Sequence, residues 1–169
     1  MSFVSLQLEA VSSDPQFRHL SSIAGIAVDL RYATPDNFVG RDLYSPIDCA
    51  WLHRDAAAAL EQAVAWLAER RPDHHLLVLD ALRPQRVQQQ LWDALQGTEL
   101  LGYIAEPSRG SIHSFGMALD ITIVGPDGQE LDMGTGFDDL SERSHPALEL
   151  VMLERGEITE EQVEHRRLL

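Results

Sequence analysis

Residues 75–84 read His75-Leu76-Leu77-Val78-Leu79-Asp80-Ala81-Leu82-Arg83-Pro84, and a change of pattern inside them sets the architecture. The apolar run from His75 to Asp80 reads as a short buried strand. Pro84 suits the first turn of a helix, and Val87, Leu91 and Leu95 recur at helical spacing until Gly97 ends the pattern. Arg83, just before proline, is biased toward an extended backbone. It therefore stands where the strand hands over to the helix.

The same reading extends in both directions. Upstream, residues 55–71 are helical in pattern. Leu60, Val64 and Leu67 share a face, alanines fill the flanks, and Arg70-Arg71-Pro72 closes the segment. The first third is irregular, with Val28-Asp29-Leu30-Arg31-Tyr32 a strand candidate before the turn-rich Thr34-Pro35-Asp36-Asn37. Downstream, residues 117–124 alternate as a strand does. Met117, Leu119, Ile121 and Ile123 fall on one face, and Ala118, Asp120, Thr122 and Val124 on the other. Gly125-Pro126-Asp127-Gly128 is a turn, and residues 129–133 are expected to return as a hairpin partner. Helical pattern resumes from Pro146. Thr159-Glu160-Glu161-Gln162 is a capping box, with Ile158 and Val163 placed as its hydrophobic staple, so a last helix starts at Glu160. These elements predict an α+β fold: a single compact domain over residues 1–169, with a small, mainly antiparallel sheet flanked by helices.

Composition narrows the function. The 169 residues suffice for one domain with a sizeable core, and 44% hydrophobic against 24% charged residues is a globular balance. A net charge of -14 argues against a nucleic-acid partner or an anionic membrane surface. It suits a ligand with a free ammonium group, although solubility explains it equally. The single cysteine, Cys49, excludes an intrachain disulfide and a cysteine-rich zinc site, in keeping with a reduced, cytoplasmic setting. The N-terminal stretch has no basic segment followed by an apolar run, so no signal peptide is expected, and no apolar stretch approaches the ~20 residues of a membrane span.

The chemistry concentrates in residues 111–120, SIHSFGMALD. Asp120 is a carboxylate within an otherwise apolar strand, and needs a cation, a donor set or solvent. His113 stands seven residues before it, on the opposite face of a straight strand. The two meet only if the chain bends, and Ser114-Phe115-Gly116 suits a bend. The alternative is a strand-end aspartate and an exposed loop histidine.

The pattern S-x-H-x-x-G-x-A-x-D resembles the zinc signature of the D-alanyl-D-alanine dipeptidases, relatives of the bacterial D,D-carboxypeptidases. The likeness is wider than these ten residues. Tyr32-Ala33-Thr34-Pro35-Asp36-Asn37-Phe38-Val39-Gly40 resembles that family's Y-A-x-x-D-N-x-x-G, and Asp80-Ala81-Leu82-Arg83-Pro84 its D-x-x-R-P. Residues 133–138 and 142–145 resemble its M-G-x-x-F-D and E-R-S-H. The motifs run in order from Asp29 to His145.

The resemblance implies a zinc dipeptidase with one Zn2+ per chain in an intact site. It makes His113 and Asp120 two metal ligands, and Arg83 the cation that stabilises the oxyanion of the tetrahedral intermediate. Ser111 and Asp138 are implied to bind the substrate ammonium, with Tyr32 lining the pocket. The implied partner is a small dipeptide with free ammonium and carboxylate groups, D-alanyl-D-alanine. Asp138 is also readable as a helix cap or turn residue, and Arg83 as a surface arginine paired with a carboxylate. Arg83→Ala is expected to damage catalysis far more than folding. Glu142 and His145 read as a structural hydrogen-bond cluster. The pairs His74-His75 and Asp138-Asp139 carry no metal spacing.

The family completes its site with a C-terminal E-x-x-H that supplies the general base and the third zinc ligand. Nothing here matches it: Glu161 with His165, or Glu164 beside His165, have the wrong spacing. The expectation is of a chain cut relative to its relatives, or one that has lost that segment. On that expectation 169 residues alone bind zinc weakly or not at all and hydrolyse little, since loss of a general acid/base costs about 10²–10⁴-fold. The alternatives are a non-catalytic relative that binds a D-amino-acid dipeptide or peptidoglycan-like ligand, and an enzyme acting on longer wall peptides. An ammonium held by Asp138 would exclude the latter.

Overall fold

A computed structural model describes residues 8–169, with side chains from residue 10 onward. The expectation for the N-terminal stretch rests largely on residues outside these. In chain order the regular elements are α1 (Leu8–Val11), β1 (Phe17–His19), β2 (Ile26–Val28), β3 (Trp51–His53), α2 (Arg54–Arg70), β4 (His75–Asp80), α3 (Gln85–Ala94), β5 (Asp120–Val124), α4 (Glu149–Glu154) and α5 (Glu160–Leu168).

Strand β4 organises the rest. It is the central strand of a three-stranded sheet ordered β2-β4-β5, parallel to β2 and antiparallel to β5, and is buried from Leu76 to Asp80. A strand covered on both faces needs apolar residues at consecutive positions, which the run Leu76–Leu79 supplies. On one face Leu76, Val78 and Ile123 pack with Leu60 and Leu67 of α2. On the other, Leu77, Leu79 and Val124 meet Phe137. Strands β1 and β3 form a separate antiparallel pair. The fold is α+β, with one mixed and one antiparallel sheet.

Three expectations need correction. Strand β2 ends at Val28, before most of the stretch read as a strand, and Arg31–Ala33 is a 3-10 turn. That turn buries Tyr32 completely and lets its carbonyl accept from the Leu43 and Tyr44 amides. Strand β5 begins at Asp120, because left-handed Gly116 and a Met117 N–H to Ile112 carbonyl bond keep the preceding residues wrapped on the turn at 112–115. The return strand at 129–133 shrinks to one bridge, Val124 to Glu130. Beyond it Asp132 turns away to serve α5, accepting from Gln162 Nε2 through its side chain and meeting His165 Nδ1 through its carbonyl.

Other expectations fit closely. Strand β4 has the read boundaries, and α3 starts directly after Pro84. The capping box at Thr159 forms with both reciprocal bonds, and Ile158 and Val163 are buried in one cluster. The irregular loop at 34–41 is ordered by one side chain. Asn37 Nδ2 donates to the carbonyls of Arg31, Thr34 and Arg41, and its Oδ1 accepts from the Val39 and Gly40 amides. Among the described residues no helix is long and apolar enough to cross a membrane.

Candidate metal centre

The site lies at the ends of β4 and β5. Their register is regular from His75 opposite Val124 to Val78 opposite Ile121, and then a bulge brings Asp80 level with Asp120. Regular pairing would place Leu79 there instead, so the bulge brings a second carboxylate to the same end. Two facing carboxylates need a cation or hydrogen-bond donors beside them. Arg83 and His113 both arrive there.

Asp80 is fully buried and its oxygens are already engaged. Its Oδ1 accepts from the Tyr44 hydroxyl and from the Ala81 amide. Its Oδ2 accepts from Arg83 Nε at 2.9 Å and Nη2 at 2.6 Å. The Arg83 guanidinium also reaches Gln88 Oε1 at 3.2 Å and lies 5.1 Å from the centre of the Tyr32 ring. Burial works against its charge, and its anionic neighbour Asp80, with Tyr32 and Tyr44, together outweigh this, so Arg83 titrates above an ordinary arginine.

His113 sits in the 3-10 turn Ile112–Phe115, whose N-cap is Ser111; the Ser111 hydroxyl accepts from the His113 amide. Left-handed Gly116 closes the turn and makes the anticipated bend. A Cβ there would stand 2.9 Å from the Phe17 ring and 3.0 Å from the His53 amide nitrogen. Only glycine fits both the conformation and the space. His113 Nδ1 lies 3.1 Å from the Ala81 carbonyl and 3.4 Å from Asp80 Oδ2. Two acceptors at Nδ1 place the proton there and leave the Nε2 lone pair free. Nε2 faces Asp120 Oδ1 at 3.6 Å.

That separation suits a shared ion. Ligand atoms about 2.0–2.1 Å from a tetrahedral zinc lie about 3.4 Å apart. Among the described residues, Asp80, His113 and Asp120 are the one group of histidine, cysteine and acidic side chains whose ligand atoms converge, within 4.8 Å of one another. Asp80 is the poorer ligand of the three, since it already holds the Arg83 fork. The donor set fits a divalent metal held by His113 Nε2 and Asp120. Burial raises the Asp120 pKa, and His113 works in the opposite direction. A nearby cation relieves the same strain.

A cleft of about 280 Å³ opens beside Asp120, lined also by Thr122, Met133, Phe137 and Asp138. Asp138 has a left-handed backbone, φ 57°. Its Oδ2 accepts from the Tyr32 hydroxyl at 2.5 Å. Burial lifts its pKa to about 6; the Tyr32 hydrogen bond opposes the rise and Asp120 adds to it. Asp120 and Asp138 thus line one cleft, with buried Tyr32 bonded to Asp138 and with Arg83 and His113 beside Asp120, while Ser111 acts on the His113 turn as its cap. Glu142 and His145 make separate contacts, Glu142 with Arg155 and His145 with the Ala147 amide. Sequence reading gave no role to Asp80 or Tyr44. A carboxylate ending a buried apolar strand was a signal, and the reasoning applied to Asp120 covers Asp80 equally.

A mixed α+β scaffold thus brings a histidine and two carboxylates together beside a buried arginine, a candidate metal centre. Residues 16–169 match the D-ala-D-ala dipeptidase family of metallopeptidases, and the chain belongs to that family. It is 38% identical over 120 residues to the D-alanyl-D-alanine dipeptidase of Escherichia coli (strain K12), covering 71% of this chain and 59% of that protein. It is 30% identical over 149 residues to the D-alanyl-D-alanine dipeptidase of Enterococcus faecium, covering 74% and 69% respectively. The match to the enzyme of that name from Synechocystis is 36% over 113 residues, covering 52% and 46%. The chain thus matches about three-fifths of the length of its Escherichia coli relative.

Proposed function

We propose that this chain is a zinc D,D-peptidase domain directed at D-alanyl-D-alanine, working in a cytoplasmic setting. The observation that carries the reading is His113 Nε2 facing Asp120 Oδ1 at 3.6 Å with the Arg83 guanidinium alongside. His113 and Asp120 hold the zinc. Bound zinc supplies an acidified water and a polarised carbonyl.

The chain's own groups do the rest. Arg83, fixed by Asp80, presents a charge that grows in value as the scissile carbonyl oxygen becomes an oxyanion. Asp138 accepts the substrate ammonium through a charge-assisted bond, with Ser111 beside the turn and Tyr32 walling the pocket. A carboxylate with a pKa of about 6 is ionised at neutral pH, so ammonium binding weakens as the pH falls through 6. An ammonium so held limits the substrate at that end, which favours a dipeptide over a longer wall peptide.

The test is zinc affinity by chelator competition together with release of free D-alanine from D-alanyl-D-alanine, on this chain and on His113→Ala. Zinc affinity measurably above that of the variant supports the metal assignment, and any D-alanine release lost in the variant supports the hydrolysis. Zinc and dipeptide bound without release makes the chain a binding relative. Zinc affinity equal in the two proteins sinks the assignment.

A further inference from the structure

We propose that Tyr44 is a positioning residue, acting through Asp80 to hold Arg83 off the metal-binding carboxylate of Asp120. This rests on the metal reading of His113 and Asp120.

Tyr44 lies 36 residues before Asp80 and is almost entirely buried. Its hydroxyl donates to Asp80 Oδ1, beside the Ala81 amide. With Oδ1 held from two directions, Oδ2 is left to face the Arg83 fork and Nδ1 of His113. One carboxylate thus sets the position of both the arginine and the imidazole.

The backbone of Tyr44 repeats the arrangement. Arg86, on the first turn of α3, donates Nη1 to the Leu43 carbonyl at 2.7 Å and Nη2 to the Tyr44 carbonyl at 2.8 Å. The Leu43 and Tyr44 amides both donate to the Tyr32 carbonyl, and the Tyr44 ring meets the Tyr32 ring edge-on at 5.9 Å. Tyr44 is therefore tied to the end of β4, the start of α3 and the tyrosine under the guanidinium. Arg83 sits between these three attachments.

The geometry shows what the restraint prevents. Arg83 Nη2 is 2.6 Å from Asp80 Oδ2 and 3.6 Å from Asp120 Oδ2. A small swing would exchange one carboxylate for the other. An arginine paired with Asp120 competes for the oxygens that face the metal. Groups that orient ligands in this way typically change metal affinity or activity by about 10–100-fold when altered.

Tyr44→Phe keeps the ring and removes the single donor. The metal-free readout is the Arg83 Nε–H resonance in an ¹⁵N NMR spectrum, assigned by its loss in Arg83→Lys. The metal readout is zinc affinity by chelator competition, with Asp120→Ala as the control. The expected result is a shifted or exchange-broadened Arg83 resonance and zinc affinity lowered by about 10-fold. Where D-alanine release is measurable, kcat falls and KM holds. A variant that melts earlier but leaves the Arg83 resonance and zinc affinity unchanged overturns the proposal, since Tyr44 would then be a packing residue only. Should Tyr44→Phe not fold, Arg86→Lys takes its place: it loosens the hold on the Leu43 and Tyr44 carbonyls and leaves Asp80 and Arg83 themselves unchanged, with the same two outcomes. A wild-type chain that binds no zinc refutes the metal reading instead, and a shifted Arg83 resonance still upholds the restraint.

Discussion

The two carboxylates at the end of the sheet are held on opposite terms. On the Arg83 side, Asp80 is fully buried, Arg83 has 8% of its side chain exposed, and their charges are paired and hydrogen-bonded. On the Asp120 side, 39% of the carboxylate side chain is exposed, and both Arg83 Nη2 and His113 Nε2 stand at 3.6 Å, beyond hydrogen-bonding distance. One carboxylate is fully hydrogen-bonded within the chain, and the other is part-exposed beside the cleft. The difference teaches where rigidity and access are divided: the buried carboxylate fixes positions, and the part-exposed one stays open to the cleft.

Arg83→Ala should break this division most severely. It leaves the Asp80 carboxylate buried and uncompensated, at a stability cost of about 3–5 kcal/mol in denaturant titration. Arg83→Lys is the better probe of catalysis: it keeps a charge and loses the fork, and turnover should fall by about 10²-fold or more. Asp120→Ala should leave the Asp80–Arg83 pair intact, with little change in melting, while zinc affinity falls at least about 100-fold in chelator competition.

Asp138→Asn sharpens the contrast through pH. The Asp138 carboxyl has a folded pKa of about 6, raised above the 3.8 of a free aspartate, so it favours the folded state below pH 3.8 and loses that contribution as pH rises through 6. Asparagine mimics the neutral form and tolerates the left-handed backbone. The variant should be more stable than wild type by about 2 kcal/mol at pH 7.5, with the gap closing by pH 4, while dipeptide binding is lost. Melting curves at the two pH values check the sign. Gly116→Ala should have the smallest effect, about 1–2 kcal/mol in denaturant titration, because Phe17 and the His53 backbone must give way.

Much of this was legible in the chain. The strand-to-helix handover at residues 75–84 was readable because local periodicity and a proline coincide there. The His113–Asp120 bend was readable because a glycine lies between two groups with reason to meet. Tyr44 was not readable. Its partner is 36 residues away, and no period or spacing links a tyrosine in an irregular segment to a strand end. The bulge that levels Asp80 with Asp120 was hidden for a related reason: alternation in one strand says nothing about slip against its neighbour. Asp132 shortened a hairpin that local pattern favoured, because its bonds go to a helix 30 residues further on.

The loop gathered by Asn37 has a consequence for how the molecule opens. Residues 34–41 hold neither helix nor strand, yet one amide side chain bonds three carbonyls and two amides there. Flanking them, the Leu43 and Tyr44 amides close on the Tyr32 carbonyl. In hydrogen exchange these amides should behave as one cooperative unit, slow as a sheet is slow and released together. A protease would find no nick site in this stretch until that unit opens. When it does, the Tyr32 bond to Asp138 and the Tyr44 bond to Asp80 are lost together.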